Sequence, residues 1–205
     1  MRRGGTVAVL AYVLLTTAAG AQAEFQRLIN HCADQTRTPD ERIQACRLFG
    51  SAQGLEPVEY AFAELNAGAA YGQKGDNADA LAAYAKSIAL EPNMWQAYND
   101  RIELRVKAAD LDPALDDYSH LVKIDPSKLR MKIFNEKYGS GGAQPSGHGE
   151  AHEASEYDKA VATIRQTLSG AFYRRGLAKR GSGDISGGDA DIKSALAIDP
   201  EIAGK

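Results

Sequence analysis

The sequence predicts an all-α chain of stacked helical hairpins, and three observations carry that prediction. Ala89-Leu90-Glu91-Pro92 and Lys123-Ile124-Asp125-Pro126 end two segments whose prolines stand 34 residues apart. The residues ahead of each recur in order. Gly68, Tyr71, Gly75-Asp76, Ala80 and Tyr84 precede Pro92, while Tyr98, Ala109-Asp110, Ala114 and Tyr118 precede Pro126. Finally, Leu81, Tyr84, Ala85 and Ile88 fall at i, i+3, i+4 and i+7, an apolar stripe at helical period with Lys86 and Glu91 off it.

Each part of the repeat has a physical task. Ala67 and Gly68 in one helix and Ala80 in the next remove bulk where two helices cross, and Tyr71 and Tyr84 fill the space between crossings. Gly75-Asp76 supplies a turn and an N-cap oxygen between the helices, and the proline ends the second one. In the next copy Ile102 replaces Gly68 and Arg105 replaces Tyr71, so its first helix is expected to pack less closely. A third copy ends at Ala197-Ile198-Asp199-Pro200, with Phe172, Arg175-Gly176 and Gly183-Asp184 at matching offsets and Gly188 at the alanine position.

Pro126 and Pro200 are 74 residues apart, two periods plus six, which implies an interrupted repeat between them. Residues 139–149 have the glycine and proline content of a loop, placing an insertion at about 139–150. Ser127 is a candidate cap for a helix running to Lys137 or Tyr138, and a second helix is expected from about Ala151 to Leu168.

The amino terminus reads as a signal peptide over residues 1–23. Arg2-Arg3 precede an apolar run from Thr6 to Leu15, and Ala21-Gln22-Ala23 is a small-x-small cleavage pattern before Glu24. The run is too short for a good membrane span, no other stretch approaches membrane length, and Cys32 has no lipobox ahead of it. The mature chain is therefore expected to be exported, to the periplasm or beyond, without a membrane span.

Export gives Cys32 and Cys46 a meaning, since an even cysteine count outside the reducing compartment favours a disulfide. On one straight helix the two would lie about 21 Å apart, so a turn must separate them. Thr38-Pro39-Asp40-Glu41 provides one, with Thr38 as N-cap, Pro39 at the first helical position and Glu41 completing a capping box. Helices over roughly 24–33 and 39–51 would then form a hairpin domain, 24–55, covering one end of a 56–205 stack. Two buried free thiols, or a redox pair without the Cys-x-x-Cys spacing, are the alternatives.

The full chain has 24 basic and 27 acidic residues, a net charge of −3; loss of Arg2 and Arg3 moves it to −5. No basic footprint or stacking platform supports nucleic-acid binding. Walker, Gly-x-Ser-x-Gly, His-Glu-x-x-His and haem-attachment motifs are absent, so no catalytic site, cofactor or metal is expected. The nearest to a metal site is His148-Gly149-Glu150-Ala151-His152-Glu153, against which stands a solvated loop entering a helix. His31 beside Cys32 could form a metal pair only if the thiol were free, and His120 reads as a surface or half-buried helix residue.

The repeats, from Gly68 through Pro92, Tyr98 through Pro126 and Phe172 through Pro200, resemble tetratricopeptide (TPR) repeats. The mature chain resembles secreted bacterial proteins of that family that open with a two-cysteine hairpin. The resemblance implies a right-handed α-solenoid whose first helices line a concave groove. Transferred by position, it points Phe62, Leu65 and Ala69, then Gln96, Asn99 and Glu103, then Tyr173, Leu177 and Arg180 into that groove. The family's carboxylate clamp is not reproduced, because Leu65 and Ala69 lack donors and Asp100 would repel a carboxylate. Of Arg174, Arg175 and Lys179, at least two read as ordinary solvated charges. The expected function is non-catalytic binding of a peptide or envelope protein. The alternatives are a metal-dependent protein or enzyme using His148 to Glu153, and a structural subunit that self-associates through the stack ends.

Overall fold

In a computed structural model that describes residues 20, 22–125 and 149–204, every regular element is helical. α1 covers 22–33 of the described residues, so the expected cleavage point before Glu24 falls within a helix, while residues 1–19, and with them the apolar run, and residue 21 lie outside the described residues. α2 spans Pro39–Gly50, α3 Pro57–Lys74, α4 Asn77–Leu90, α5 Trp95–Lys107 and α6 Leu111–Leu121. α7 spans Gly149–Gly181, α8 Ile185–Ile198, and a 3-10 turn at Ile202–Gly204 follows. No helix among the described residues is long and apolar enough to cross a membrane.

Local chemistry sets the element ends. The capping box forms: Glu41 N–H donates to Thr38 Oγ1 at 3.4 Å and Thr38 N–H donates to Glu41 Oε2 at 3.0 Å, with Pro39 opening α2. Three inter-helix turns share one geometry. Gly75, Ala109 and Gly183 take φ of 86°, 58° and 96°. The next residue's N–H then reaches back to Tyr71 O, Arg105 O and Lys179 O at 3.0, 2.9 and 3.0 Å, the Schellman arrangement that satisfies a terminal carbonyl. Glu91 and Asp199, each before a proline, have nearly the same dihedrals, −137°/94° and −138°/102°, as the clash with the proline ring requires.

Packing runs from neighbour to neighbour, α2 on α3, α3 on α4, α4 on α5 and α5 on α6, with α7 lying against α5, α6 and α8. Apolar clusters within α1–α3, α3–α5 and α5–α8 are joined by side chains that touch two of them, Tyr71 between the first pair and Ile88 between the second. A Cβ on Gly68 would lie 2.7 Å from two Tyr84 ring carbons. Gly176 and Gly188 bring the α7 and α8 backbones equally close, since a Cβ on either would lie within 2.7 Å of the other's carbonyl oxygen. These are the crossings at which the sequence removes side-chain bulk.

Several expectations are corrected. Ala85 is exposed, and the buried face of α4 is Ala80, Ala83, Tyr84 and Ser87. The stripe is rotated because Ser87 is buried with its hydroxyl donating to Ala61 O at 2.8 Å, which offsets the cost of burying a polar group. Asp76 makes no side-chain capping bond, pairing instead with Lys74 at 3.5 Å, whereas Asp184 accepts from Gly187 N–H at 2.9 Å. α6 ends at Leu121 rather than at the position of Leu90, and the Tyr157 hydroxyl donates to the Leu121 and Ile124 carbonyls at 2.8 and 3.3 Å, the first of which also accepts from Ile124 N–H. No break falls at Leu168: α7 runs unbroken through Ser169-Gly170. Ser169 returns its hydroxyl to Gln166 O at 3.1 Å. Neither residue is a proline or takes a left-handed conformation, so the pair weakens the helix without stopping it. The Ser127-capped helix and the 139–148 stretch of the insertion lie outside the described residues, while 149–150 already belong to α7.

Candidate functional site

At the amino-terminal end the site is built on a covalent joint. Cys32 and Cys46 form a disulfide, their Cα atoms 4.7 Å apart, and both are buried among Phe25, Ile29, Phe49 and Phe62. Such a bond is characteristic of oxidising compartments. Beside it Arg42 is fully buried, donating from Nε to Cys32 O at 3.4 Å and from Nη1 to Gln73 Oε1 at 2.9 Å. Burial lowers its pKa, and Asp34 and Tyr84 act against that. A cation at the carboxyl end of α1 is also favoured by that helix's dipole.

The expected groove residues divide by accessibility. Phe62 and Leu65 are core residues, 6% and 7% exposed, and the Phe62 ring stands edge-on to Phe49 with centroids 6.2 Å apart. Ala69, Gln96, Asn99 and Tyr173 are half-buried, and Glu103 and Arg180 are exposed. Leu177 is 49% exposed, one of the most open large apolar side chains among the described residues. Arg180 is paired with Asp189 of α8 at 3.2 Å, and Tyr173 packs against the α5–α8 core.

On α5 the polar residues form a connected row. Asn99 Nδ2 donates to Asp100 Oδ1 at 3.1 Å and to Glu103 Oε1 at 3.4 Å, and Lys107 reaches Glu103 at 3.8 Å. Burial pushes the Asp100 carboxyl up to about 6, with Asn99 opposing, Glu103 adding to the rise and Lys107 opposing. Burial likewise raises the Tyr84 hydroxyl, helped by Asp100 and Glu103 and opposed by Arg42. Tyr84 thus stands in the field of charged groups from both α2 and α5.

The structure also contains a constellation that sequence reasoning missed. Asp117 is buried and accepts from Arg101 Nε and Nη2 at 2.8 and 2.5 Å and from Arg105 Nη1 at 2.6 Å. Seventy-four residues later the arrangement recurs: Asp191 is buried, accepts from Arg175 Nε and Nη2 at 2.7 Å each, and pairs with Lys179 at 2.9 Å. Arg175 and Lys179 are therefore not solvated charges; Arg174 is exposed. The Arg175 hydrogen bonds hold the Asp191 carboxyl below the usual range. The recurring 16-residue spacing of Arg101/Asp117 and Arg175/Asp191 was the available signal, and in the first copy both positions are alanine, Ala67 and Ala83.

Of the His148–Glu153 segment only the Glu153 side chain belongs to the described residues. Among those residues no group of three or more His, Cys, Asp or Glu side chains could hold a metal ion. The disulfide removes the thiol from any pairing with His31, whose Nε2 lies 3.0 Å from Arg37 Nη2. His120 is exposed and stacks on Tyr98. No protein-family model matches the chain, and no curated protein matches it either.

Proposed function

We propose that this chain is an exported, non-catalytic binding module. In this reading it is a right-handed α-solenoid of TPR-type hairpins that holds a peptide or envelope protein along the face carrying Gln96, Asn99, Glu103, Tyr173, Leu177 and Arg180. The observation that carries it is the threefold return of one turn geometry at Gly75, Ala109 and Gly183, each 17 residues ahead of the proline that closes its copy. A unit that repeats its helix–turn–helix geometry buries its apolar face on its neighbours and leaves an extended face for a ligand. The disulfide supports an oxidising location.

On that face the half-buried Tyr173 beside the open Leu177 supplies aromatic and aliphatic anchors, the kind of residues that carry most binding energy. Phe62 and Leu65 stabilise the α3 end without touching a ligand. The test is affinity capture from an envelope fraction, read by mass spectrometry, with wild type, Tyr173→Ala, Arg180→Glu and a control at Lys193 on α8. Tyr173→Ala should lose the partner while remaining folded, and Arg180→Glu should weaken it in a salt-dependent way. Equal loss with Lys193→Ala, or normal capture by both face variants, overturns the reading.

A further inference from the structure

One difference between the three copies of the hairpin concerns buried charge. In two of them a carboxylate lies between helices and is held by cations, Asp117 by Arg101 and Arg105, and Asp191 by Arg175 and Lys179. In the first copy Ala67 and Ala83 occupy the Arg101 and Asp117 positions, and Tyr71 occupies that of Arg105. The side-chain volume missing there coincides with a cavity of about 330 Å³ between α2, α3 and α4. Its lining includes Ala63, Ala67 and Ala83, with Arg47, Tyr71 and Lys86 around them.

A cation still reaches this place, supplied by the neighbouring helix. Arg47 of α2 donates from Nη2 to the Tyr71 hydroxyl at 2.5 Å, and its guanidinium carbon lies 5.9 Å from the centre of that ring. Arg47 therefore brings a guanidinium to the tip of Tyr71, the residue at the Arg105 position of the first copy. Among the described residues it makes no ion pair, in contrast to Arg101, Arg105 and Arg175. Of the two acids that line the cavity, Glu64 is paired with Lys86 at 3.6 Å, and Asp79 is exposed.

We infer that the α2–α3–α4 cavity is a binding site for a carboxylate on a short aliphatic stem. The carboxylate would be held by Arg47 and the Tyr71 hydroxyl, with the stem on the methyl groups of Ala67 and Ala83. The ligand supplies from outside what Asp117 and Asp191 supply from within the chain in the other copies. A guanidinium with open donors matches a carboxylate in shape and charge, and the alanine floor matches the stem. The site uses the 63, 67, 71 row of α3 rather than 62, 65 and 69, so it stands apart from the proposed partner face and does not depend on it.

Two sources share this chemistry, a free short-chain acid and the side chain of a glutamate in a peptide. Isotope-labelled protein is titrated by NMR with butyrate and, separately, with a terminally blocked peptide carrying one glutamate. Saturable shifts centred on the amides of Ala63, Ala67 and Ala83 are expected with at least one probe, and which of the two binds more tightly identifies the source. Arg47→Gln should weaken binding about tenfold or more, given the strength of a charge-assisted pair. The Ala67→Arg/Ala83→Asp double variant installs the ion pair of the other copies and should abolish the shifts while the protein stays folded. Arg47→Gln sits at an exposed residue and keeps the test open if the double variant fails to fold. No saturable shift with either probe, or binding that survives Arg47→Gln or the folded double variant, overturns the assignment.

Discussion

Replacing Asp117 with alanine is predicted to be among the most damaging single substitutions in the chain. Asp117 is 4% exposed and receives two guanidinium groups, those of Arg101 and Arg105, whose side chains are 13% and 20% exposed. Its removal leaves two largely buried cations without a counter-charge, which costs about 3–5 kcal/mol. For a chain of this size that corresponds to a melting-temperature loss of about 6–20 °C. Arg101→Ala/Asp117→Ala recreates the Ala67/Ala83 pair of the first copy. It should cost less than Asp117→Ala alone, because the remaining Arg105 keeps its bond to Pro113 O at 2.8 Å. Urea unfolding at constant m reads both variants and their coupling. A single-variant cost below about 1 kcal/mol, or a double variant that loses the sum of the two single losses, would refute the idea that the ion pair is an integral part of the α5–α6 packing. The pH dependence has a definite sign at the second triad. Asp191 has a depressed carboxyl pKa, so its contribution is complete above the unfolded value of about 3.9 and is lost as pH falls through the lower folded value.

Asp100 behaves oppositely. With its folded pKa raised to about 6, its favourable contribution is full below the unfolded value of about 3.9 and is lost as pH rises through the folded one. Asp100→Asn should therefore stabilise by about 1–3 kcal/mol at pH 7 and change little at pH 3.5, as read by chemical denaturation; equal effects at both pH values would contradict the assignment. Ala109 holds φ at 58° where its counterparts are glycine. Ala109→Gly should raise stability by about 0.5–1 kcal/mol, whereas a loss would mean that the methyl group packs usefully. Reduction of Cys32–Cys46 should add two hydrogens to the mass and lower stability by about 3 kcal/mol for a loop of this length; two alkylatable thiols in the untreated protein would refute the bond.

What was legible in the sequence was what short-range chemistry fixes. Gly75 and Gly183 mark left-handed turns because few other residues accept that conformation, Glu91 and Asp199 are extended because prolines follow, and Thr38 to Glu41 form a cap from adjacent residues. The disulfide followed from one intervening turn. Less legible were choices decided by a partner elsewhere in the chain. Ser87 looks like a surface residue until Ala61 O accepts its hydroxyl, and Arg101, Arg175 and Lys179 look solvated until the acids on α6 and α8 receive them. Family position alone assigned Phe62 and Leu65 to a ligand face, but the α1–α2 hairpin and α4 claim the space around them. The continuity of α7 was hidden because serine and glycine lower helix propensity without forbidding the conformation.

Site-specific photo-crosslinking in living cells reads out whether the face bearing Leu177 and Glu103 holds a protein partner. A photoreactive phenylalanine analogue is placed at Leu177 or Glu103, both exposed, and in parallel at the exposed Lys193 of α8. A discrete crosslinked species with an envelope protein is expected from Leu177 and Glu103 and none from Lys193. A species formed equally from Lys193, or none from either face position while the variants remain folded and abundant, would contradict it.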